Sequence, residues 1–450
     1  MRLLFLFLLL PTIAVLAQTP TPTQPNPEPV KVQPLPEAEV DALVVKLGAD
    51  DPSTREVALR QLEAAGVRAL PGLRKAINHP DAEVRRVLVD LVPALEMQAL
   101  LAPKRVTLKM EGKSIQDALN EIAAQTGYKI QAFGGNIQNP GQTFRLIDVP
   151  FWEAIDHVAK AGGLTIQQGY GDDTVRLQAQ DIRHPHASHD GSFRVIAQSM
   201  NQSRTIDLQS RPGQTEPATR TTSMVLNLTV FSEPKLPIIG YGEVKLTHAM
   251  DSERNSMVPP SVSVEEFVPG FGFRGRVGAT GNRYSQKMFH AAVNAQLVRP
   301  SEKAGSIKIL KGYIPLTLLT EQKSVEITKE LDKANNLKKT IDSHTFTVQE
   351  VKENPAGQWQ VKMIITNDSA DNDYSWGNSF YQRLEVYGPA GEKLQNYGSS
   401  WGNNGPNLVN LTMTYRDPAG KNVKPTRLAF QSWTTASAIA PFEFRDVPLP

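Results

Sequence analysis

The spacing of apolar positions changes twice along this chain, from a helical period to a mixed one and then to strict alternation. Val40, Leu43, Val44 and Leu47 recur at i, i+3, i+4 and i+7, the stripe of an amphipathic helix. Asp51-Pro52-Ser53-Thr54 then breaks the chain and caps a second helix, with Leu59, Leu62 and Ala65 inward and Gly66 as its stop. Pro71 stands where a third helix can begin, with Leu70, Leu73 and Ile77 on its buried side. A fourth comes after His79-Pro80-Asp81 and buries Val84, Leu88, Leu91 and Leu95. Next is a strand at Val106–Met110, a helix carrying Ile115, Leu119, Ile122 and Ala123, a stop at Gly127 and a strand at Tyr128–Ile130. Thirty-six positions on, the unit recurs: Phe144–Leu146, then Ile155, Val158 and Ala159, then Gly163 and Leu164–Ile166. Two such β-α-β halves predict a compact sheet with two helices packed on it.

From Asp181 onward the period is two. Met224, Leu226, Leu228 and Val230 alternate with polar or smaller residues, as do Trp359, Val361, Met363 and Ile365, and Val409, Leu411, Met413 and Tyr415. Half-buried antiparallel strands bounded by Gly, Pro, Asn and Asp predict β-sandwiches. The charged stretch Glu321–Lys339 has helix-compatible spacing and few large apolar residues, and it reads as a connector. The expected fold is therefore multidomain: α, α+β and all-β. It comprises a helical repeat over 37–103, a duplicated β-α-β module over 104–180, and β-sandwich domains over 181–320 and 341–450 joined by a connector at 321–340. Two sandwiches are favoured over one large one because each half has a domain's length.

Two segments resemble known families. Asp51-Pro52-x-x-Arg55-Glu56-Val57 and Pro80-Asp81-x-Glu83-Val84-Arg85 place Arg55 and Arg85 thirty residues apart. Residues 38–97 thus resemble short HEAT repeats, which implies protein–protein contact; a small helical cap is the alternative. Stacked repeats usually need about three units, so two would lean on the next domain. Ala118-Leu-x-x-Ile-Ala-x-x-Thr-Gly127 and its echo at Ala154–Gly163 resemble the STN domain, the short N-terminal module of secretins and TonB-dependent receptors. That resemblance implies a periplasmic docking platform without catalytic residues. The chain beyond residue 180 reads as neither a secretin pore region nor an outer-membrane barrel, which leaves the docking role alone.

Met1-Arg2, the apolar run Leu3–Ala17 and Val15-Leu16-Ala17 before Gln18 predict a signal peptide over 1–17. The run contains Pro11 and falls short of the roughly 20 residues that span a bilayer. Residues 18–36 carry seven prolines among Thr, Gln, Asn and Glu, an extended proline-rich linker. The expected location is exported, periplasmic or envelope-associated, with no transmembrane span after cleavage. A formal charge of +2 from 48 basic and 46 acidic side chains, without a basic block, argues against a nucleic-acid partner. The absence of cysteine excludes disulfides, thiolate metal sites and thiol nucleophiles.

Candidate chemistry is sparse. Gly398-Ser399-Ser400-Trp401-Gly402 fits G-x-S-x-G, but its Asn/Gly/Pro surroundings lack the strand-to-helix elbow that chemistry needs. Gly270–Gly275 fits G-x-G-x-x-G without a strand before it and a helix after it, and reads as a loop. His184, His186 and His189, beside Asp190, bring enough imidazoles for a zinc, copper or nickel site, although the stretch reads as an interdomain linker. Asp368, Asp371 and Asp373 share an acidic turn whose spacing departs from a calcium loop. Four of the five tryptophans fall in the last domain; Trp359 is expected in the core, while Trp376 and Trp401, in Gly/Asn-rich loops, are candidate ligand-binding aromatics. No cofactor is expected. The sequence thus points to a non-catalytic binding or scaffolding protein with envelope proteins as partners. Carbohydrate or cell-wall binding through Trp376 and Trp401 is the alternative.

Overall fold

Charge and proline punctuation set the helical boundaries, and the computed structural model shows how. It describes residues 33–134, 141–167, 172–180, 182, 184–206, 220–260, 286–368, 375–403 and 407–450. The expected signal peptide, residues 18–32 of the linker, the glycine run at 270–275, Asp371 and Asp373 lie outside the described residues. The chain divides into two units, Met1–Leu95 and Glu96–Pro450. About 49% of the described residues are strand and 26% helix, so the alternating stretch outweighs the helical one. No described helix is long and apolar enough to cross a membrane.

The first unit contains α1 (Glu37–Leu47), α2 (Pro52–Ala65), α3 (Leu70–Ala76) and the start of α4 (Ala82–Leu101). Val40, Leu43, Val44 and Leu47 on α1 and Val84, Leu88, Leu91 and Leu95 on α4 are all buried, as their spacing predicts. Leu59 and Ala65 on α2, also expected inward, are only half-buried, and Ile77 is 37% exposed just past the end of α3. The recurring Asp and Arg have one job each. Asp51 caps α2 by accepting from the Ser53 and Thr54 amides (3.3 and 3.0 Å), and Asp81 accepts from Glu83 and Val84 (2.8 and 3.2 Å). Arg55 Nη1 donates to the Ala49 and Asp50 carbonyls (2.7 and 2.9 Å); Arg85 Nη1 does the same to His79 and Pro80 (2.6 and 2.7 Å). Each arginine therefore closes the turn before its own helix.

The second unit begins with the duplicated segment: β1 (Arg105–Lys113), α5 (Ile115–Thr126), β2 (Lys129–Phe133), then β3 (Gln142–Pro150), α6 (Phe151–Gly162), β4 (Leu164–Gln167) and β5 (Thr174–Ala179). The halves match as predicted. Ala118 and Ala154, Leu119 and Ile155, and Ile122 and Val158 are all buried at matching positions. Gly127 (φ 76°) and Gly163 (φ 61°) both end their helices in the left-handed conformation that a side chain would strain. Instead of one sheet there are two, an antiparallel β1–β3 pair and a three-stranded β2–β5–β4 sheet.

The segment is not sealed off from the strands after it. Its core of Leu108, Ile115, Leu119, Phe151 and Ile155 also takes in Ile196 and Phe231 from those strands. They are β6 (Ala187–Asp190), β7 (Phe193–Ile206) and β8 (Arg220–Ser232), then β9 (Ile238–Tyr241), β10 (Lys245–Asp251) and β11 (His290–Leu297). The buried Glu233 carboxylate accepts from the Tyr128 hydroxyl (2.6 Å) and the Lys104 amide (3.0 Å). Trp152 Nε1 donates to the Ser192 carbonyl (3.2 Å). Edge-to-face rings run from Tyr128 through Phe151 to Trp152 at 5.0 and 4.9 Å, and Trp152 meets Phe231 at 5.9 Å.

The remaining elements are β12 (Ser306–Thr328), β13 (Lys338–Ile341), β14 (His344–Glu353), β15 (Trp359–Asn367), α7 (Phe380–Arg383), β16 (Leu384–Tyr387), β17 (Lys393–Asn403), β18 (Leu408–Arg416) and β19 (Arg427–Pro448). A four-stranded sheet runs β11–β8–β7–β6, and a ten-stranded one runs β10–β12–β19–β16–β17–β18–β15–β14–β13 with β9 also on β12. Two apolar cores result. One gathers Val195, Leu226, Leu228, Val293, Ile314 and Phe442; the other gathers Phe346, Val361, Met363, Phe380, Tyr415 and Phe430. Both touch β12 and β19, which pair antiparallel from Ser306 opposite Pro448 to Thr328 opposite Leu428. The helix-compatible connector is corrected here: Glu321–Thr328 continues β12, and only a short turn at Leu331–Lys333 is helical. Its Glu, Gln, Lys and Ser side chains at 321–324 are exposed, which removes the period-two signal without ending the strand.

Candidate functional site

Helix α6 and strands β6 and β7 bring together a charged cluster that no local motif announces. β6 and β7 pair with His189 opposite Arg194. Asp156, on the second turn of α6, lies between them. Its Oδ2 accepts from His189 Nε2 at 2.7 Å and from Arg194 Nε at 2.8 Å. The Arg194 side chain is 5% exposed, whereas Asp156 and His189 retain 24% and 21%. Its guanidinium sits 5.3 Å from the centroid of the Phe231 ring. Burial pushes the Asp156 carboxyl up, but the His189 hydrogen bond and the Arg194 charge together hold it below its usual value. Arg194 Nη1 is buried with no hydrogen-bond partner.

A cavity of about 690 Å³ opens beside this cluster. Asp156, Lys160 and Arg194 line it together with Thr165, Gln180 and His184, and Leu164, Ile166 and Ile182 supply apolar wall. Burial lowers the His184 pKa, the nearby Arg194 charge lowers it further and Asp156 opposes both.

The histidine stretch is therefore not a linker. His184 faces the cavity, His189 is a strand residue bonded to Asp156, and the His186 carbonyl accepts from the Ala197 amide at 3.0 Å. Among the described residues no group of three or more His, Cys, Asp or Glu could hold a metal ion. The three imidazoles of the expected metal site are not gathered into such a group, and His189 Nε2 is bonded to Asp156 instead.

The tryptophans divide. Trp376 is 2% exposed in the turn Ser375–Ser379, its ring 5.6 Å from His344 and 5.5 Å from Phe380. A ring buried that way offers no face to a ligand, so the pairing of Trp376 with Trp401 as a binding surface is corrected. Trp401 is 52% exposed on β17, as is Tyr397 at 55%, with the Arg416 guanidinium 3.5 Å over the Tyr397 ring. Trp359, expected in the core, is half-buried at the start of β15 and donates to Asn422 Oδ1 at 2.9 Å. Ser400 lies within β17, not at a strand-to-helix turn.

No family model, curated protein or solved structure matches the chain.

Sequence reasoning missed Asp156 and Arg194. One signal for Arg194 exists: it is the lone charge inside the apolar run Phe193–Ile196, all four of which are buried. A buried cation in such a run needs a carboxylate partner from elsewhere.

Proposed function

We propose that this chain is an exported, non-catalytic binding or scaffolding protein of the bacterial cell envelope. In this reading a signal peptide and proline-rich tether precede a HEAT-like repeat, an STN-like module and two β-sandwich domains, and protein partners dock on the repeat and the module. The outer edge of β2 carries the reading. Among the described residues no strand covers it, and Phe133 at its end is 41% exposed. An open edge presents unpaired backbone groups to which an extended partner segment can add as a further strand. Ile147 on β3, 53% exposed, extends the apolar surface of the module, and Val45, Val57 and Val89 expose apolar side chains on the repeat.

The test is a photoreactive residue at the exposed position 131, on β2, introduced in cells that make the protein. A defined envelope protein captured there, absent from a control at position 421 and lost on Phe133→Asp, is the expected result. Identical capture at both positions, or none at 131, refutes docking through this edge.

A second reading is supported by the exposed Trp401 and Tyr397 on β17: binding of carbohydrate or cell-wall material by aromatic stacking. Quenching of tryptophan fluorescence by peptidoglycan fragments that disappears in Trp401→Phe supports it. Unchanged emission across the glycan panel removes it.

A further inference from the structure

We infer that the cavity beside Arg194 is a binding site for a small organic monocarboxylate with an apolar tail. Charge is the first argument. Among the described residues Arg194 and Lys160 line the cavity as cations, and Asp156 is the one lining carboxylate, already accepting from both His189 and Arg194. Burial disfavours the charged form of His184, so among the described residues the lining cations outnumber the carboxylates by one.

The second argument is the unused donor. Arg194 binds Asp156 through Nε alone, and its Nη1 has no partner although the side chain is 5% exposed. A buried guanidinium ordinarily has its N–H groups satisfied, and the acceptor whose geometry matches them best is a carboxylate. Phe231 beneath the guanidinium and Asp156 beside it fix its plane before any ligand arrives.

The third argument is the wall. Leu164, Ile166 and Ile182 face the same space, which at about 690 Å³ lies within the range of small-molecule pockets. A hydrated inorganic anion would leave those side chains unused, whereas a short acyl or aryl tail covers them. Among the described residues the two lining cations, one of them already paired with Asp156, match a monoanion better than a dianion.

The test is calorimetric titration of the full chain with acetate, butyrate, hexanoate and benzoate, with inorganic phosphate and hexylamine as controls. Affinity should rise about threefold to fourfold per added methylene, the gain expected for burying CH₂ groups. Phosphate should bind more weakly than hexanoate, and hexylamine not at all. Lys160→Gln, at an exposed position, should weaken hexanoate several-fold. Ile182→Trp should abolish binding by filling the cavity from its exposed rim. Arg194→Gln should also abolish it, and the two other variants keep the test decisive should that one fail to fold. Absence of carboxylate binding, hexanoate no tighter than phosphate, or hexanoate binding that survives Ile182→Trp overturns the assignment.

Discussion

At the scale of single residues, the clearest consequences come from ionisable groups that folding has stripped of water. His344 is 8% exposed among the rings of Phe346, Trp376, Phe380 and Phe430, and its Nδ1 has no hydrogen-bond partner. Burial, reinforced by the Arg383 charge and opposed by Asp342, lowers its pKa from 6.5 to about 4. The folded state therefore binds fewer protons than the unfolded one between those values. Stability is full above pH 6.5, falls as pH drops toward 4 and levels off below it, by roughly 3 kcal/mol for this group. Urea unfolding midpoints from pH 7.5 to 4.5 should decline less steeply in His344→Leu than in the parent. Parallel declines would show that His344 does not titrate this way. His184 and His290, lowered mainly by burial as well, account for part of what remains. Trp376 shows why such residues are hard to read beforehand. Its Gly- and Asn-rich neighbours spell a loop, but the turn folds the ring inward onto His344, and composition carries no record of that direction. The cavity was illegible for a related reason: Asp156 and Arg194 meet only because α6 lies over β7, thirty-eight positions away in sequence.

At the scale of elements, the helical and duplicated segments were the most legible, because their signals are local. A cap, a stop glycine and an apolar stripe act within one helix, and the offset between Gly127 and Gly163 survives as two left-handed helix ends. The thirty-residue arginine spacing has an equally local cause in the turn carbonyls. Arg55→Ala should lower stability by about 1 kcal/mol, the scale of a lost hydrogen-bonded contact. Arg85→Ala should cost less, since the Arg55 bond to Ala49 is partly buried whereas both Arg85 bonds are exposed. Hydrogen exchange of the α2 and α4 amides would reveal the ranking, and equal or reversed effects would count against it. β12 was harder to see because exposed charge on its second half imitates a solvated helix face. Gly312, mid-strand in β12, makes a sharper case. A Cβ there would lie 2.5 Å from the Lys245 carbonyl oxygen and 2.8 Å from the Phe442 ring. Gly312→Ala should destabilise by about 1–3 kcal/mol, the usual cost of forcing volume into a packed site. A thermal midpoint within a degree of the parent's would mean that β10 moves aside freely.

At the scale of the whole molecule, β12 and β19 decide how the second unit behaves. Both strands border both apolar cores, so neither core can lose its share of the pair without disturbing the other. Buried amides in β8 and in β15 should therefore exchange with the same opening free energy, and Gly312→Ala should lower protection in β15 as well as in β8. Exchange that slows or quickens in one core alone would show that the pair yields in its middle, near the register shift between Leu319 and Glu321. The order of strands in the chain adds a constraint in time. A polypeptide emerges from the ribosome N-terminus first, and β19 follows every other described strand. Until residues 427–448 are out, each core lacks one wall, and β12 waits with a bare edge more than a hundred residues behind its partner. Both cores are thereby kept open until β19 has emerged, and a stop anywhere before it would leave two unfinished cores rather than one finished and one lost.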